Sequence, residues 1–245
     1  MDTMLKDRVI FIAGSSRGIG AATARLAKEY GATVALHGHN DSEHLQALAD
    51  ELHCKKYICD VTDRQAVETT INQVVQEYGK IDALINCAGI TNRAKFMEST
   101  DELWLEIFKV NVLGTVHTCQ AVIPHMQKAK YGRIVNIASI RAHGATSGRP
   151  SYSASKAAIM NLTAVLAKDL APDILVNAVS PGFTETDMSK TWDDAVWKQV
   201  KSALLQRVGQ PKEIAEMLLF LGSDRASFIT GQTFLVDGGY SLSGK

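Results

Sequence analysis

The chain has 245 residues, a length that suits one α/β domain or two small ones, and 46% of them are hydrophobic, enough for a sizeable core. Twenty-six Lys and Arg balance 26 Asp and Glu, so nothing in the charge favours a nucleic-acid partner. No apolar run reaches the roughly 18 residues that a membrane helix needs.

Residues 8–13, R-V-I-F-I-A, form a short continuous apolar run, as a strand buried on both faces would. The preceding M-D-T-M-L-K-D-R has no signal-peptide core. G-S-S-R-G-I-G follows the run, with Gly14, Gly18 and Gly20, and leads into a helix pattern closed by Gly31. Strand, glycine-rich turn and helix present backbone N–H groups and a helix N-terminus to a phosphate. The spacing is G-x-x-x-G-x-G, not the G-x-G-x-x-G of the most familiar dinucleotide folds. A second strand, T-V-A-L-H (33–37), runs into Gly38 and His39. An NAD-preferring fold usually carries an Asp or Glu here for the ribose 2′-OH. Its absence, with the cation of Arg17 inside the glycine loop, favours a 2′-phosphate and hence NADP(H) over NAD(H). His39 is a weaker signal, because a neutral imidazole adds no charge.

A third strand, K-Y-I-C-D-V (56–61), ends at Asp60 and Val61, and an amphipathic helix follows over about 63–78. The fourth, I-D-A-L-I-N-C-A-G, ends in Asn86 to Gly89, whose small residues let a ligand lie across the strand end. A helix over about 101–125 carries Asn111 among Phe108, Val112 and Val116, where a polar side chain needs a partner. The fifth strand, G-R-I-V-N-I-A-S, delivers Ser139 to the same sheet edge as the glycine loop.

Tyr152 and Lys156 then stand four apart in Y-S-A-S-K-A-A-I-M-N-L, a run of helix formers with apolar residues at Ala158, Ile159, Leu162, Val165, Leu166 and Leu170. Four apart on a helix puts a phenol and an ammonium on one face. An ordinary tyrosine titrates near about 10, and an adjacent cation lowers that by about 1–3. Such a tyrosine exchanges protons with a ketone or an alcohol near neutral pH. Y-x-x-x-K alone also fits a helix start with two surface residues; its surroundings decide for chemistry. A sixth strand, I-L-V-N-A-V-S, leads to Pro181, Gly182, Phe183 and Thr184. Residues 187–206, with Trp192 and Trp197, read as a mobile helical lid. A last helix (about 211–222) and a seventh strand, T-F-L-V-D-G-G-Y, close the chain. The alternation predicts one domain over 1–245, a Rossmann-type doubly wound parallel sheet of seven strands with helices on both faces. Cys54, Cys59, Cys87 and Cys119 form no C-x-x-C pair, which argues against metal or disulfides and for a cytoplasmic location.

In this order and spacing, Gly14-x-x-x-Gly18-Ile19-Gly20, Asp60-Val61, Asn86-Cys87-Ala88-Gly89, Asn111, Ser139, Tyr152-x-x-x-Lys156 and Pro181-Gly182 resemble the short-chain dehydrogenase/reductase family over essentially the whole chain. S-S-R-G-I-G, P-G-F-T-E-T-D-M and F-I-T-G-Q-T-F-L-V-D-G-G are similar to segments of the family's bacterial 3-oxoacyl-[acyl carrier protein] reductases. The resemblance implies Tyr152 as general acid–base, Ser139 as hydrogen-bond donor to the reacting oxygen, and Lys156 as the cation that lowers the Tyr152 pKa and holds the nicotinamide ribose. It implies that Asn111 keeps a water in a proton relay. The turn Gly14–Gly20, with Ser16, Arg17 and Ile19, would cradle the pyrophosphate. Asp60 and Val61 would meet adenine, Asn86, Ala88 and Gly89 would pack on adenosine, and Pro181, Gly182 and Thr184 would orient the carboxamide.

Ala13 departs from the family's usual Thr and Cys87 from its usual Asn. The implied substrate is a small ketone or a 3-oxoacyl thioester, with an acyl carrier protein as a candidate partner, and the implied assembly is a homotetramer. An acidic carrier needs a basic rim; Lys130 and Arg133 are candidates, and Asp173 works against it. Arg141 and Arg149 either face an anionic substrate or are solvated loop charges. Two other readings stay open: a dehydrogenase of a sugar, polyol or small hydroxy acid, and a dinucleotide-binding sensor or scaffold. The intact Ser139, Tyr152, Lys156 and Asn111 set argues against the last.

Overall fold

The computed structural model describes residues 3–144, 148–186, 189, 192 and 194–243. Its frame is a parallel sheet of β1 (Val9–Ala13), β2 (Thr33–Gly38), β3 (Lys56–Ile58), β4 (Ala83–Asn86), β5 (Gly132–Ile137), β6 (Ile174–Pro181) and β7 (Thr233–Val236), in the order β3-β2-β1-β4-β5-β6-β7. Helices connect the strands: α1 (Gly18–Glu29), α2 (Glu43–Leu52), α3 (Arg64–Tyr78), α4 (Asp101–Phe108), α5 (Gly114–Ala129), α6 (Pro150–Leu170), α7 (Asp194–Ser202) and α8 (Pro211–Leu221). Ser42, Asp63 and Thr100 start α2, α3 and α4 by accepting a backbone N–H three residues on. Pro150 and Pro211 start α6 and α8, where a missing N–H costs nothing.

The alternation of a strand distributes the core. Ile10 and Ile12 of β1 pack with Leu26, Leu45, Leu48, Leu218 and Leu219 on the face covered by α1, α2 and α8. Phe11 and Ala13 pack with Ile71, Val74, Val122 and Met126 on the face of α3 and α5. The strand order turns outward in both directions from β1 and β4, and the loops after these strands diverge. That switch point opens a crevice at the C-terminal edge.

Several predicted elements differ in extent. The third strand stops at Ile58, because the Asp60 carboxylate turns the chain by accepting the Thr62 N–H (2.8 Å). The seventh stops at Val236, where Asp237 accepts the N–H groups of Gly239 and Ser241 (both 2.9 Å). The expected helix over 101–125 is α4 and α5 joined by a π-helical turn, Lys109–Leu113, centred on Asn111. On α6 the buried residues are Ser151, Ser155, Lys156, Ile159, Thr163 and Ala167; of the predicted apolar positions Ile159 is buried, Ala158, Leu162, Leu166 and Leu170 are half-buried, and Val165 is exposed. Of the predicted lid, 194–202 is helical, while residues 187, 188, 190, 191 and 193 lie outside the described residues.

The predicted basic rim is also corrected. Arg133 opens β5 at the N-terminal edge of the sheet, buried and paired with Asp224 (3.2 Å). Its guanidinium and that of Arg8 lie 4.4 and 4.3 Å from the centre of the Tyr131 ring. Asp173 precedes β6 at the same edge, its carbonyl accepting the Gly132 N–H (3.1 Å). Eight residues of β6 separate Asp173 from Gly182, roughly 30 Å of extended chain. Within one subunit, Arg133 and Asp173 neither build nor oppose a rim at the C-terminal edge.

Candidate active site

A groove of about 760 Å³ follows the C-terminal edge of the sheet, within the size range of small-molecule and cofactor sites. Its floor is the glycine turn. Gly14 (φ 76°) and Gly18 (φ 57°) adopt left-handed backbone. A Cβ on Gly14 would lie 2.7 Å from the Ala88 backbone, and one on Gly20 would lie 2.1 Å from the Gly14 carbonyl. The turn therefore packs directly on the residues after β4. The Cys87 N–H also donates to the Ala13 carbonyl (2.9 Å), a backbone bond that does not need the hydroxyl Ala13 lacks. Gly14, Ser16, Arg17, Gly18, Ile19 and Gly20 all border the groove, with the N-terminus of α1 aimed into it.

His37, a residue to which the sequence assigned no role, holds this turn. The Gly14 N–H donates to its Nδ1 (3.1 Å), and Nε2 lies 3.0 Å from the Cys59 carbonyl. The acceptor role of Nδ1 leaves the proton on Nε2, which donates to Cys59. His37 and Ser15 exchange three further bonds through the His37 backbone. Burial pushes the His37 pKa down to about 4. One neutral ring thus ties the glycine turn to the end of β3. Its inward direction at the end of a strand was the available signal.

At the same end, Gly38, His39 and Asp60 border the groove. A Cβ at Gly38 would lie 2.8 Å from the buried Leu45 side chain, so a carboxylate there is sterically opposed as well as absent. His39 Nδ1 stands 3.8 Å from Asp60. Partial burial pushes the Asp60 carboxyl up, but the Thr62 hydrogen bonds and the nearby His39 and Lys109 outweigh it and hold the pKa below the usual range. Val61 packs under Gly114, and its carbonyl meets His117 Nδ1 (2.9 Å).

Two predicted residues lie behind the groove wall. Asn86 is buried: its amide donates to Asn136 (2.9 Å) and its oxygen accepts from Thr118 (2.8 Å), so its side chain faces the sheet interior rather than adenosine. Asn111 accepts the Ile90 N–H (2.8 Å) and donates to the Ile90 carbonyl (3.0 Å) and to Ser155 Oγ (3.1 Å). Ser155 in turn donates to the Tyr152 carbonyl (2.7 Å). The π-helical turn brings this amide inward, where it fixes the start of the 90–95 loop against α6. Ala88 and Gly89 do line the groove. A side chain at Gly89 would crowd Asn111 Oδ1 (3.1 Å) and Lys156 Nζ (3.6 Å).

Ser139, Tyr152 and Lys156 converge at the other end. Lys156 Nζ donates to the Ile137 carbonyl (2.8 Å), which holds the ammonium along the floor, 5.9 Å from the Tyr152 ring centre. Burial pushes its pKa down to about 8. The expected effect of Lys156 on Tyr152 is not what this structure displays. Burial drives the Tyr152 pKa above the ordinary value, and the groups that oppose it are the Ser139 hydroxyl and the charges of Arg149 and Arg141. A phenol held protonated at neutral pH is the form that donates to a ketone. Pro181, Gly182 and Thr184 close this end; the Gly182 N–H is bound to Val236 (2.9 Å), and Thr184 Oγ1 donates to the Gly182 carbonyl (3.1 Å).

A dinucleotide-sized groove at the switch point of a parallel sheet, with a serine, a tyrosine and a lysine at one end, defines an oxidoreductase of the short-chain type. The profile of the family described as Enoyl-(Acyl carrier protein) reductase matches residues 13–241, and the chain belongs to this short-chain dehydrogenase/reductase family. It is 39% identical to a 3-oxoacyl-[acyl-carrier-protein] reductase of Thermotoga maritima over 242 residues, 96% of this chain and 98% of that protein. It superposes on a Brucella melitensis 3-oxoacyl-[acyl-carrier protein] reductase with TM-score 0.90 and 34% identity, covering 97% of this chain and 92% of that one. It superposes on a Burkholderia cenocepacia gluconate 5-dehydrogenase, solved with NADP and tartrate, with TM-score 0.93 and 32% identity, covering 98% and 97%.

Proposed function

We propose that the chain reduces the ketone of a 3-oxoacyl thioester to a secondary alcohol with NADPH. The observation that carries this reading is the convergence of Ser139, Tyr152 and Lys156 at one end of a groove whose other end is the glycine turn. Relatives at this identity are reductases of that substrate class. The cofactor fits the residues present: a cradle at Gly14 and Gly20 too close for any side chain, and a lysine amine beside Gly89. When bound, NADPH supplies the hydride. The Ser139 hydroxyl donates to the carbonyl oxygen and stabilises the charge that develops there. Tyr152 delivers its proton to that oxygen, and Lys156 holds the nicotinamide ribose. Coupled oxidation of NADPH on addition of acetoacetyl-CoA tests the reading; a panel of 3-oxoacyl thioesters that leaves NADPH unchanged rejects it.

NADPH is expected to be preferred to NADH by roughly 10- to 100-fold in kcat/KM, the range of one charge-assisted contact to phosphate. Arg17 and the closed position at Gly38 support this, and Arg17→Ala should narrow the gap. Equal kcat/KM for the two cofactors on one substrate rejects it.

The reading includes a homotetramer. Leu105, Leu113 and Val165 stand exposed along α4, the π-helical turn and α6, and Phe228, Leu235 and Leu242 stand exposed around β7. These two apolar faces each suit contact with a second copy. Sedimentation at micromolar concentration is expected to give a species of four chains; a stable monomer overturns it. No helix among the described residues is long and apolar enough to cross a membrane, and the proposed location is the cytoplasm.

A further inference from the structure

The direction of the Ser139 hydroxyl is set by the turn that follows it. Ser139 is buried, in extended backbone (φ −168°, ψ 152°), and caps a short 3₁₀ turn, Ile140–Ala142. Its Oγ accepts the Arg141 N–H (3.2 Å) and its carbonyl accepts the Ala142 N–H (2.9 Å). The Ile140 carbonyl accepts the His143 N–H (3.1 Å). The group of Arg141 that meets Ser139 is thus its backbone; its guanidinium, half-buried, reaches the Gly148 carbonyl (3.5 Å). A serine oxygen carries one hydrogen and two lone pairs. With one lone pair filled by the Arg141 N–H, the hydrogen is turned away from that N–H, and Ser139 lines the groove. An oxygen that accepts a hydrogen bond also donates a stronger one.

A single 3₁₀ turn has poor hydrogen-bond geometry and little hold of its own. This one is tethered at both ends to consecutive residues of β6. Before it, the Ala138 N–H donates to the Val179 carbonyl (2.8 Å). After it, His143 Nε2 lies 2.8 Å from Ser180 Oγ. His143 is an exposed residue, whereas Ser180 is fully buried and stands in register with Leu235 of β7. Among the described residues the His143 ring is the partner of the Ser180 hydroxyl, and no second one is seen. A buried hydroxyl left without a partner is unfavourable, so Ser180 holds the ring in place, whichever of the two donates. His143 itself does not line the groove, while Pro181 and Gly182, which follow Ser180, do.

We infer that His143 is a positioning residue for the reduction: by binding Ser180 it holds the 140–142 turn, and through the Arg141 N–H that turn aims the Ser139 hydroxyl at the reacting oxygen. The inference rests on the reductase reading, since it concerns the donor to the carbonyl that Tyr152 protonates.

The cleaner disruption is S180A, which removes the buried hydroxyl and leaves the exposed ring to water; H143L removes the other half of the clasp. With acetoacetyl-CoA and NADPH, each should lower kcat about 3- to 10-fold, the range of one neutral hydrogen bond, with the KM for NADPH unchanged. H143Q, whose amide nitrogen has the reach of Nε2, should recover most of the loss. In an S139A background the S180A change should lower kcat no further, because the hydroxyl it aims is gone. The inference is overturned by an unchanged kcat in S180A and H143L, or by an S180A loss that persists in full beside S139A. A raised KM for NADPH in place of the kcat loss also overturns it, since the clasp would then serve the cofactor wall. If no ketone is reduced, the reductase reading fails and amide hydrogen exchange decides the clasp separately. Faster exchange of the Arg141, Ala142 and His143 N–H groups in S180A supports it; unchanged exchange there overturns it.

Discussion

Tyr152→Phe is expected to lower kcat by about 10²- to 10⁴-fold, the usual worth of a general acid–base group, while NADPH still binds. The substitution removes one oxygen and keeps the ring. Position 152 sits on α6, whose buried row of Ser155, Ile159 and Thr163 is untouched, and whose backbone at Tyr152 is held by Ser155 (2.7 Å). Lys156, 5.9 Å from the ring centre and bound to the Ile137 carbonyl, keeps its place on the floor. The loss should therefore appear in kcat with little change in the cofactor dissociation constant. Lys156→Ala should damage both, because the ammonium, held by the Ile137 carbonyl beside Gly89, would anchor the nicotinamide ribose and so position the cofactor for the reaction. Turnover and NADPH fluorescence titration on the two variants check the contrast. A Tyr152→Phe protein with near-normal kcat removes tyrosine from the chemistry.

The residues that carry this contrast were legible because their signals are local. Y-x-x-x-K is a helix-face statement, and Ser139 is a strand-end statement; a parallel sheet places both at one edge. The glycines of the β1–α1 turn were legible for the same reason: positive φ and close approach restrict those positions to glycine. Residues whose role depends on a non-local partner were not. Asn86 belongs to the expected strand end, but Thr118 and Asn136, 32 and 50 residues away, draw its side chain into the sheet interior. Arg133 reads as a surface cation until Asp224, 91 residues on, and the Tyr131 ring enclose it.

The extent of elements failed for a related reason. Residues 101–125 carry a plausible helical pattern, and nothing local announces the π-helical turn at Lys109–Leu113. That turn follows from the Asn111 amide binding both backbone groups of Ile90 across 21 residues. In the same way, the charges that oppose the effect of burial on Tyr152 are those of Arg149 and Arg141, which no helix-face spacing picks out.

Acid is expected to destabilise the protein through His37, and the effect should disappear in His37→Phe. An ordinary histidine titrates near about 6.5, and burial holds His37 at about 4. Of the groups that act on the ring, the Cys59 carbonyl and Asp60 favour its charged form and His39 opposes it. As pH falls below about 6.5 the unfolded chain binds a proton that the folded chain refuses, so this contribution to stability is full above that value and is lost as pH falls toward 4. Each pH unit is worth about 1.4 kcal/mol, and the window sums to about 3 kcal/mol. Protonation would also convert Nδ1 from acceptor to donor against the Gly14 N–H, and so release the glycine turn. His37→Phe keeps a ring 5.6 Å from that of Phe11 but leaves the Gly14 N–H and the Cys59 carbonyl without their partner. At pH 7.5 it should cost about 1–3 kcal/mol for each orphaned group and weaken NADPH binding. Urea midpoints from pH 7.5 to 4.5 should show a steeper decline for the original protein than for the variant, with the two curves converging at the acid end. Parallel curves would mean that the ring carries no titrating load and that the loop is held without it.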